Sequence, residues 1–213
     1  MDEPLIVEIL VDPACPWAWL TSRWLLEVEQ VRNVRVRTRL FDLAETNRGE
    51  QDERMLTSHS AGETALRTLV QARREGGAEA LGRLYTELGE AWHERAEQLS
   101  EPDTLERAAV AAGLPADLPR RALSDPTTLD ELLAEHRDAA AGGAFGVPTL
   151  RLPGTAAWFG PIVDTRITAE AAGELWDAVL PLLRNPHLFE LKRERAGKAE
   201  IGRYRAVEAA ATA

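Results

Sequence analysis

The sequence predicts a mixed α/β protein whose two β-containing ends are separated by a long helical block. Three observations carry this. Leu5 to Val11 is a β-branched, nearly continuous apolar run, followed by a helical stripe and a second, alternating run. Helical periodicity alone then fills about a hundred residues. β character returns at Val147.

Taken in order, Leu5-Ile6-Val7-Glu8-Ile9-Leu10-Val11 reads as a buried strand. Asp12-Pro13-Ala14-Cys15-Pro16 punctuates it, and Trp17, Leu20, Trp24, Leu25, Val28 and Val31 recur at helical spacing. Pro16 suits a first helical position, where its missing N–H would have had no partner. Asn33 ends that helix, and Val34 to Phe41 alternates with period two. Leu66, Leu69 and Val70 start the helical block with a stripe that stops at Gly76-Gly77; Leu81, Leu84, Tyr85, Leu88 and Trp92 form another. Ser100-Glu101-Pro102-Asp103 reads as a helix start of capping-box type, and Gly113 with Pro115 as its end. Leu129, Leu132, Leu133, His136 and Ala140 make a further stripe, stopped by Gly142-Gly143. Val147 to Leu152 and Ala156 to Phe159, around Pro153-Gly154, form a hairpin. Thr168 opens a last helix, which Pro181 should kink or end. Asn185 to Leu191 is too apolar to be expected in solvent, and the Ala-rich stretch from Ala196 on is ambiguous. The helical block is read as an insertion within one core: 1–45 with 144–190 as the core, 46–143 as the insertion and 191–213 as a tail.

Composition narrows the function classes. The 213 residues carry 25 Lys+Arg against 35 Asp+Glu, a net charge of −10, which argues against a phosphate-backbone binder. No run reaches the roughly 18 apolar residues of a membrane helix. The acidic start lacks the positive charge of a secretory signal, so the expected address is the cytoplasm. A single cysteine, Cys15, excludes an intrachain disulfide and a Cys-rich zinc site. The histidines, His59, His93, His136 and His187, have no metal-ligand spacing, and no Gly-x-Gly-x-x-Gly follows the first strand, so neither metal, flavin nor nicotinamide is expected. His136, on an apolar stripe, reads as a core histidine with a hydrogen-bond partner. The runs Arg73-Arg74-Glu75 and Lys192-Arg193-Glu194-Arg195 read as solvated helix faces.

Cys15 is the feature with chemical content. A lone cysteine is ordinarily a buried, inert small hydrophobe. This one stands at a strand–helix junction just before Pro16, where free N–H groups and the helix dipole favour a thiolate, so its pKa is expected below about 8.5. Of the two adjacent tryptophans, Trp17 is the one expected at the surface, able to stack on an aromatic substrate, with Trp19 packed inside. Trp24, Trp92, Trp158 and Trp176 are expected in the core or in a pocket wall.

Cys15-Pro16-Trp17-Ala18 resembles the Cys-Pro-Trp-Cys redox motif of DsbA-like thioredoxin-fold proteins. Val147-Pro148-Thr149 falls where those proteins carry a cis-proline opposite the cysteine. Within that group the chain is most similar to the actinobacterial mycothiol-dependent reductases. That similarity rests on Asp12-Pro13, Thr21-Ser22-Arg23-Trp24, Leu84-Tyr85-Thr86, Phe159-Gly160-Pro161 and Pro186-His187-Leu188-Phe189-Glu190-Leu191-Lys192-Arg193. The resemblance implies a thioredoxin-like βαβ…ββα core with a helical insertion that forms a lid or pocket. It also implies a nucleophilic Cys15 and a partner-binding surface from Pro16, Trp17, Ala18, Val147, Pro148 and Thr149, with His187 nearby in a weaker supporting place. The implied co-reactant is a low-molecular-weight thiol, mycothiol or alternatively glutathione. The expected partners are that thiol and a small electrophilic or disulfide substrate, with neither nucleic acid nor membrane; a homodimer is allowed.

One departure shapes the mechanism. The family's second, resolving cysteine falls at position 18, which is Ala18. A single thiol can form a mixed disulfide but cannot resolve it internally. Three explanations compete: a natural monothiol enzyme resolved by an outside thiol, a chemistry without net redox change, and an engineered trap replacement. The second would resemble the kappa-class glutathione transferases and 2-hydroxychromene-2-carboxylate isomerases, and a binder without redox function is the third reading of the whole chain.

Overall fold

The computed structural model describes residues 3–49, 53–195 and 197–205. Strand β1 (Leu5–Val11) is the inner strand its apolar run demands, with Val7, Ile9, Leu10 and Val11 fully buried. Helix α1 (Pro16–Val31) follows with Pro16 in its first turn, and β2 (Val34–Leu40) pairs parallel to β1. On β2 the arginines alternate with inward residues, and Arg39 bridges to Glu8 on β1 at 3.3 Å. The chain leaves the sheet here through α2 (Leu43–Thr46), α3 (Glu53–Gly89), a π-helical turn (Glu90–Glu94), α4 (Pro102–Ala111), α5 (Leu118–Ser124) and α6 (Thr127–Ala141). It returns through β3 (Thr149–Arg151) and β4 (Trp158–Phe159), both antiparallel additions, and ends the core with α7 (Ala169–Leu183). The sheet order is β2-β1-β3-β4, as a thioredoxin-like βαβ…ββα core requires.

The expected break at Gly76-Gly77 is a kink inside α3, where Gly77 takes φ 69°, a region open to glycine. Three expectations are corrected. The N-cap of α4 is Glu101, not Ser100, and no side chain caps it; the Thr104 N–H turns instead to the Glu101 carbonyl at 3.1 Å. Helix α7 runs two residues past Pro181, to Leu183. Arg73, Arg74 and Glu75 do not stand free on their face: half-buried Arg73 reaches Glu131 at 2.8 Å and Glu135 at 2.7 Å, while Arg74 and Glu75, exposed as expected, pair with Asp125 and Glu131 and with Arg121 respectively. These pairs tie α3 to α5 and α6. His136 sits as expected, buried on Phe41 and accepting from the Asp42 N–H at 3.3 Å.

The tail also reverses expectation. Phe189 and Leu191 are 88% and 77% exposed, whereas Ala199 and Ile201 beyond them are buried. The segment carrying them bonds to the rest of the chain at Glu200 N–H to Asp164 O (2.7 Å) and Gly202 N–H to Glu94 (3.0 Å). Residues 206–213 lie outside the described residues. Among the described residues no helix is long and apolar enough to cross a membrane.

Candidate active site at the head of α1

Cys15 occupies the N-cap of α1. Its Sγ accepts the Ala18 N–H at 3.5 Å, one of the donors a helix start leaves without an intrahelical partner. Its S–H donates to the Val147 carbonyl at 3.7 Å. The Val147–Pro148 peptide is cis, as the resemblance implies, and so is Gly160–Pro161. Thr149 holds that loop through its hydroxyl, which donates to Gly146 O at 2.7 Å. Val147 therefore has its carbonyl on the cysteine, while its own N–H meets no acceptor among the described residues. Pro16 and Trp17 are half-buried beside the sulfur, and Ala18 lies fully buried beneath it.

The expected acidic thiol is overturned. Cys15 is only 7% exposed, and burial pushes its pKa up to about 12. The Ala18 and Trp17 N–H groups favour the thiolate, and so does Arg195, whose guanidinium lies 5.2 Å from the Trp17 ring centre. Desolvation outweighs them. The helix end still pulls this thiol's pKa down, but burial and the Val147 carbonyl that accepts its S–H keep it neutral.

Two groups that sequence reasoning missed underlie the site. Asp12 is fully buried; one oxygen accepts the Ala14 N–H at 2.8 Å and the other the Leu43 N–H at 3.0 Å. It thus fixes the loop into Cys15 against the start of α2. Burial raises its pKa to about 7. His93, on the π-turn, stacks on Trp19 and places Nε2 2.8 Å from the Pro13 carbonyl, so Nε2 carries the proton. Burial lowers its pKa to about 3 and keeps the ring neutral. The only sequence trace of either was Asp12-Pro13 itself; His93 stands 80 residues from its partner.

Trp19 is the centre of this layer. It is fully buried, and its indole N–H donates to Glu94 at 2.9 Å. Glu94 also receives Gly202 N–H and Arg166; burial opposes its ionisation, but these donors hold it below the usual carboxylate range. Phe159-Gly160-Pro161 is anchored to α1 through Thr21, whose hydroxyl donates to Pro161 O at 2.9 Å. His187 is exposed in the tail, and its ring makes no hydrogen bond among the described residues. The His59 side chain lies outside them.

The fold that carries this site recurs in known proteins. The fold resembles that of 2-hydroxychromene-2-carboxylate isomerase (TM-score 0.61, 16% identity, 84% of this chain and 97% of that one). It also resembles a probable DsbA oxidoreductase from Streptomyces coelicolor (TM-score 0.58, 22%, 92% and 98%). The cytosolic disulfide reductase DsbM from Pseudomonas aeruginosa, solved with GSH, is similar too (TM-score 0.53, 20%, 83% and 98%). In sequence the chain is 30% identical over 190 residues to the uncharacterized protein Rv2286c of Mycobacterium tuberculosis, covering 89% of this chain and 82% of that protein. The profile of the Rv2466c-like family, described as mycothiol-dependent nitroreductase Rv2466c, matches residues 14–193, from the residue before Cys15 into the tail. The chain belongs to this Rv2466c-like family, whose fold is DsbA-like and whose chemistry is thiol-dependent oxidoreduction.

Proposed function

We propose that the chain is a monothiol oxidoreductase in which Cys15 is the sole nucleophile and an outside thiol, mycothiol by family, completes the cycle. Its expected setting is the cytoplasm. The observation that carries this reading is the Cys15 S–H on the Val147 carbonyl, next to cis-Pro148, with Ala18 where a resolving thiol would stand.

The Val147 N–H, without an acceptor among the described residues, fits a partner laid along the loop, since such a main-chain donor can hold a carbonyl or hydroxyl. Pro16, Trp17 and Thr149 complete that surface. Against a disulfide substrate, Cys15 Sγ attacks one sulfur as the S–S bond breaks, and its proton leaves with the departing thiol. Cys15 is then joined to the other half in a mixed disulfide. With no second cysteine, Cys15 is released only when an external thiolate attacks that mixed disulfide, taking the bound half as a new disulfide. Two thiol–disulfide exchanges balance, and the protein ends as it began. The S–H must lose its proton as the substrate arrives, because at neutral pH it rests neutral.

The absence of a second thiol also favours a second reading, a thiol-addition or isomerase chemistry without net redox change. Whole-protein mass spectrometry after incubation with mycothiol disulfide or glutathione disulfide separates them. The redox reading expects a single adduct on Cys15 that accumulates, and that vanishes when free thiol is added. Absence of any adduct at Cys15 rejects it, and thiol-dependent isomerisation of a conjugated enone would then support the second.

A further inference from the structure

A cleft of about 390 Å³ opens on the flank of the molecule, between α1, β2 and the second half of α3. It brings together two sequence motifs that the thiol chemistry leaves unused, Thr21-Ser22-Arg23-Trp24 and Leu84-Tyr85-Thr86. Arg23 is 9% exposed, yet no carboxylate pairs with it among the described residues. The contrast with Arg39 and Arg73, both seated on Glu135, is plain. Arg23 spends Nη1 on Thr86 Oγ1 at 2.8 Å and Nε on Ser22 Oγ at 3.4 Å, so most of its five donors remain. Its Cζ lies 4.3 Å from the Trp19 ring centre and 5.7 Å from that of Tyr85, two cation–π contacts that hold it in place. The Tyr85 hydroxyl is itself buried without a hydrogen bond of proper geometry. Hydroxyls of Thr38 and Thr86 line the walls, and the exposed Arg83 and Glu79, of opposite sign, stand at the rim.

We propose that this cleft binds a small organic oxyanion, a carboxylate or phosphate whose charged end sits on the Arg23 fork. Three features point there: a buried cation with no carboxylate within ion-pair distance among the described residues, Glu90 acting on it only from farther off, and stacked on two rings; free donors of the geometry that matches such groups; and a volume suited to a small molecule. Arg23 stands eight positions along α1 from Cys15, a Cα separation of about 12 Å at the helical rise, and binding at its guanidinium is read without any turnover of the thiol. The proposal therefore stands or falls separately from the monothiol reading.

The test uses the whole protein at fixed ionic strength, with benzoate and phenyl phosphate as probes and benzyl alcohol as the uncharged control. Calorimetry measures affinity, and tryptophan emission reports on Trp19 beneath the guanidinium. At least one acid is expected to saturate a single site at least about tenfold more tightly than the alcohol, and the two acids decide between carboxylate and phosphate. Arg23→Met also removes a core contact, so the decisive variant is Gly82→Glu. Gly82 lines the cleft, and a Cβ there meets nothing within 4 Å, so the new carboxylate can occupy the space without disturbing the fold. It should weaken acid binding at least about tenfold while leaving alkylation of Cys15 unchanged. No saturation up to about 10 mM, equal affinity for the alcohol, or undiminished binding to Gly82→Glu would each overturn the proposal.

Discussion

Two glycines on one helix should respond oppositely to the same substitution. Gly89, at the end of α3, has ordinary helical dihedrals (φ −66°, ψ −41°), so alanine there meets no backbone strain. Yet an added Cβ would stand 2.1 Å from Trp19 Cζ3 and 2.3 Å from Cε3. That indole cannot retreat: it is fully buried, hydrogen-bonded to Glu94, stacked by His93 and covered by Arg23. Gly82, seven residues earlier, has no atom within 4 Å of an added Cβ. Both substitutions gain the same helix propensity and unfolded-state entropy, about 1 kcal/mol, so the difference between them isolates the clash. Overpacking a rigid site costs about 3 kcal/mol at the upper end of the usual range. For a chain of this size that gap is about 6–12 °C in Tm. Gly82→Ala should melt a few degrees above the parent and Gly89→Ala well below it, as followed by circular dichroism and urea titration. Equal melting of the two variants would refute the account of Trp19 as an immobile centre.

Further outcomes follow from the buried titratable groups and ion pairs. Iodoacetamide should label native Cys15 with no rate inflection below about pH 10, whereas an inflection near neutrality would mean an exposed thiolate. The same group has a folded pKa above its unfolded value of 9.0, so its contribution to stability is intact below pH 9 and fades as pH rises toward 12; Cys15→Ser should flatten that alkaline loss. Asp12 is likewise raised, from 3.8 to about 7, so it favours the fold below pH 3.8 and loses this as pH climbs through 7. The shift corresponds to about 4 kcal/mol, and Asp12→Asn should therefore lose much less urea resistance than the parent between pH 4 and 8; parallel pH profiles would refute this. Glu135→Ala should lower stability by about 2 kcal/mol in urea titration, because it leaves the buried Leu40 N–H without its acceptor and removes the carboxylate that Arg39 and Arg73 share, though each keeps a second partner in Glu8 or Glu131; a change under about 0.5 kcal/mol would show those pairs to be solvated equivalents.

The β1–α1–β2 unit was legible because local signals agree there: a strand run, Pro16 at a helix start and strict alternation from Val34 all describe one outcome. Helix α5 escaped notice because seven residues holding Pro119 and two arginines show too little periodicity, and its contacts with α3 decide it. Apolarity misjudged the tail for a related reason. Phe189 and Leu191 look more buried than Ala199 or Ile201, but burial follows where the backbone bonds to Asp164 and Glu94. At the site, position was readable and acidity was not. The helix end is written in Pro16, whereas the cover that removes water from Cys15 comes from Val147 and the tail, more than a hundred residues away.

The π-helical turn at Glu90–Glu94 has a bearing on the gene as well as on the molecule. Such a turn is an α-helix widened by one extra residue, and removing that residue would rotate everything beyond it by about 100°. Glu94 would then swing off the Trp19 indole, Arg166 and Gly202 at once. A single in-frame codon deletion here should therefore be far less tolerated than almost any point substitution in the same helix, and this stretch should keep its length through descent even where its letters drift.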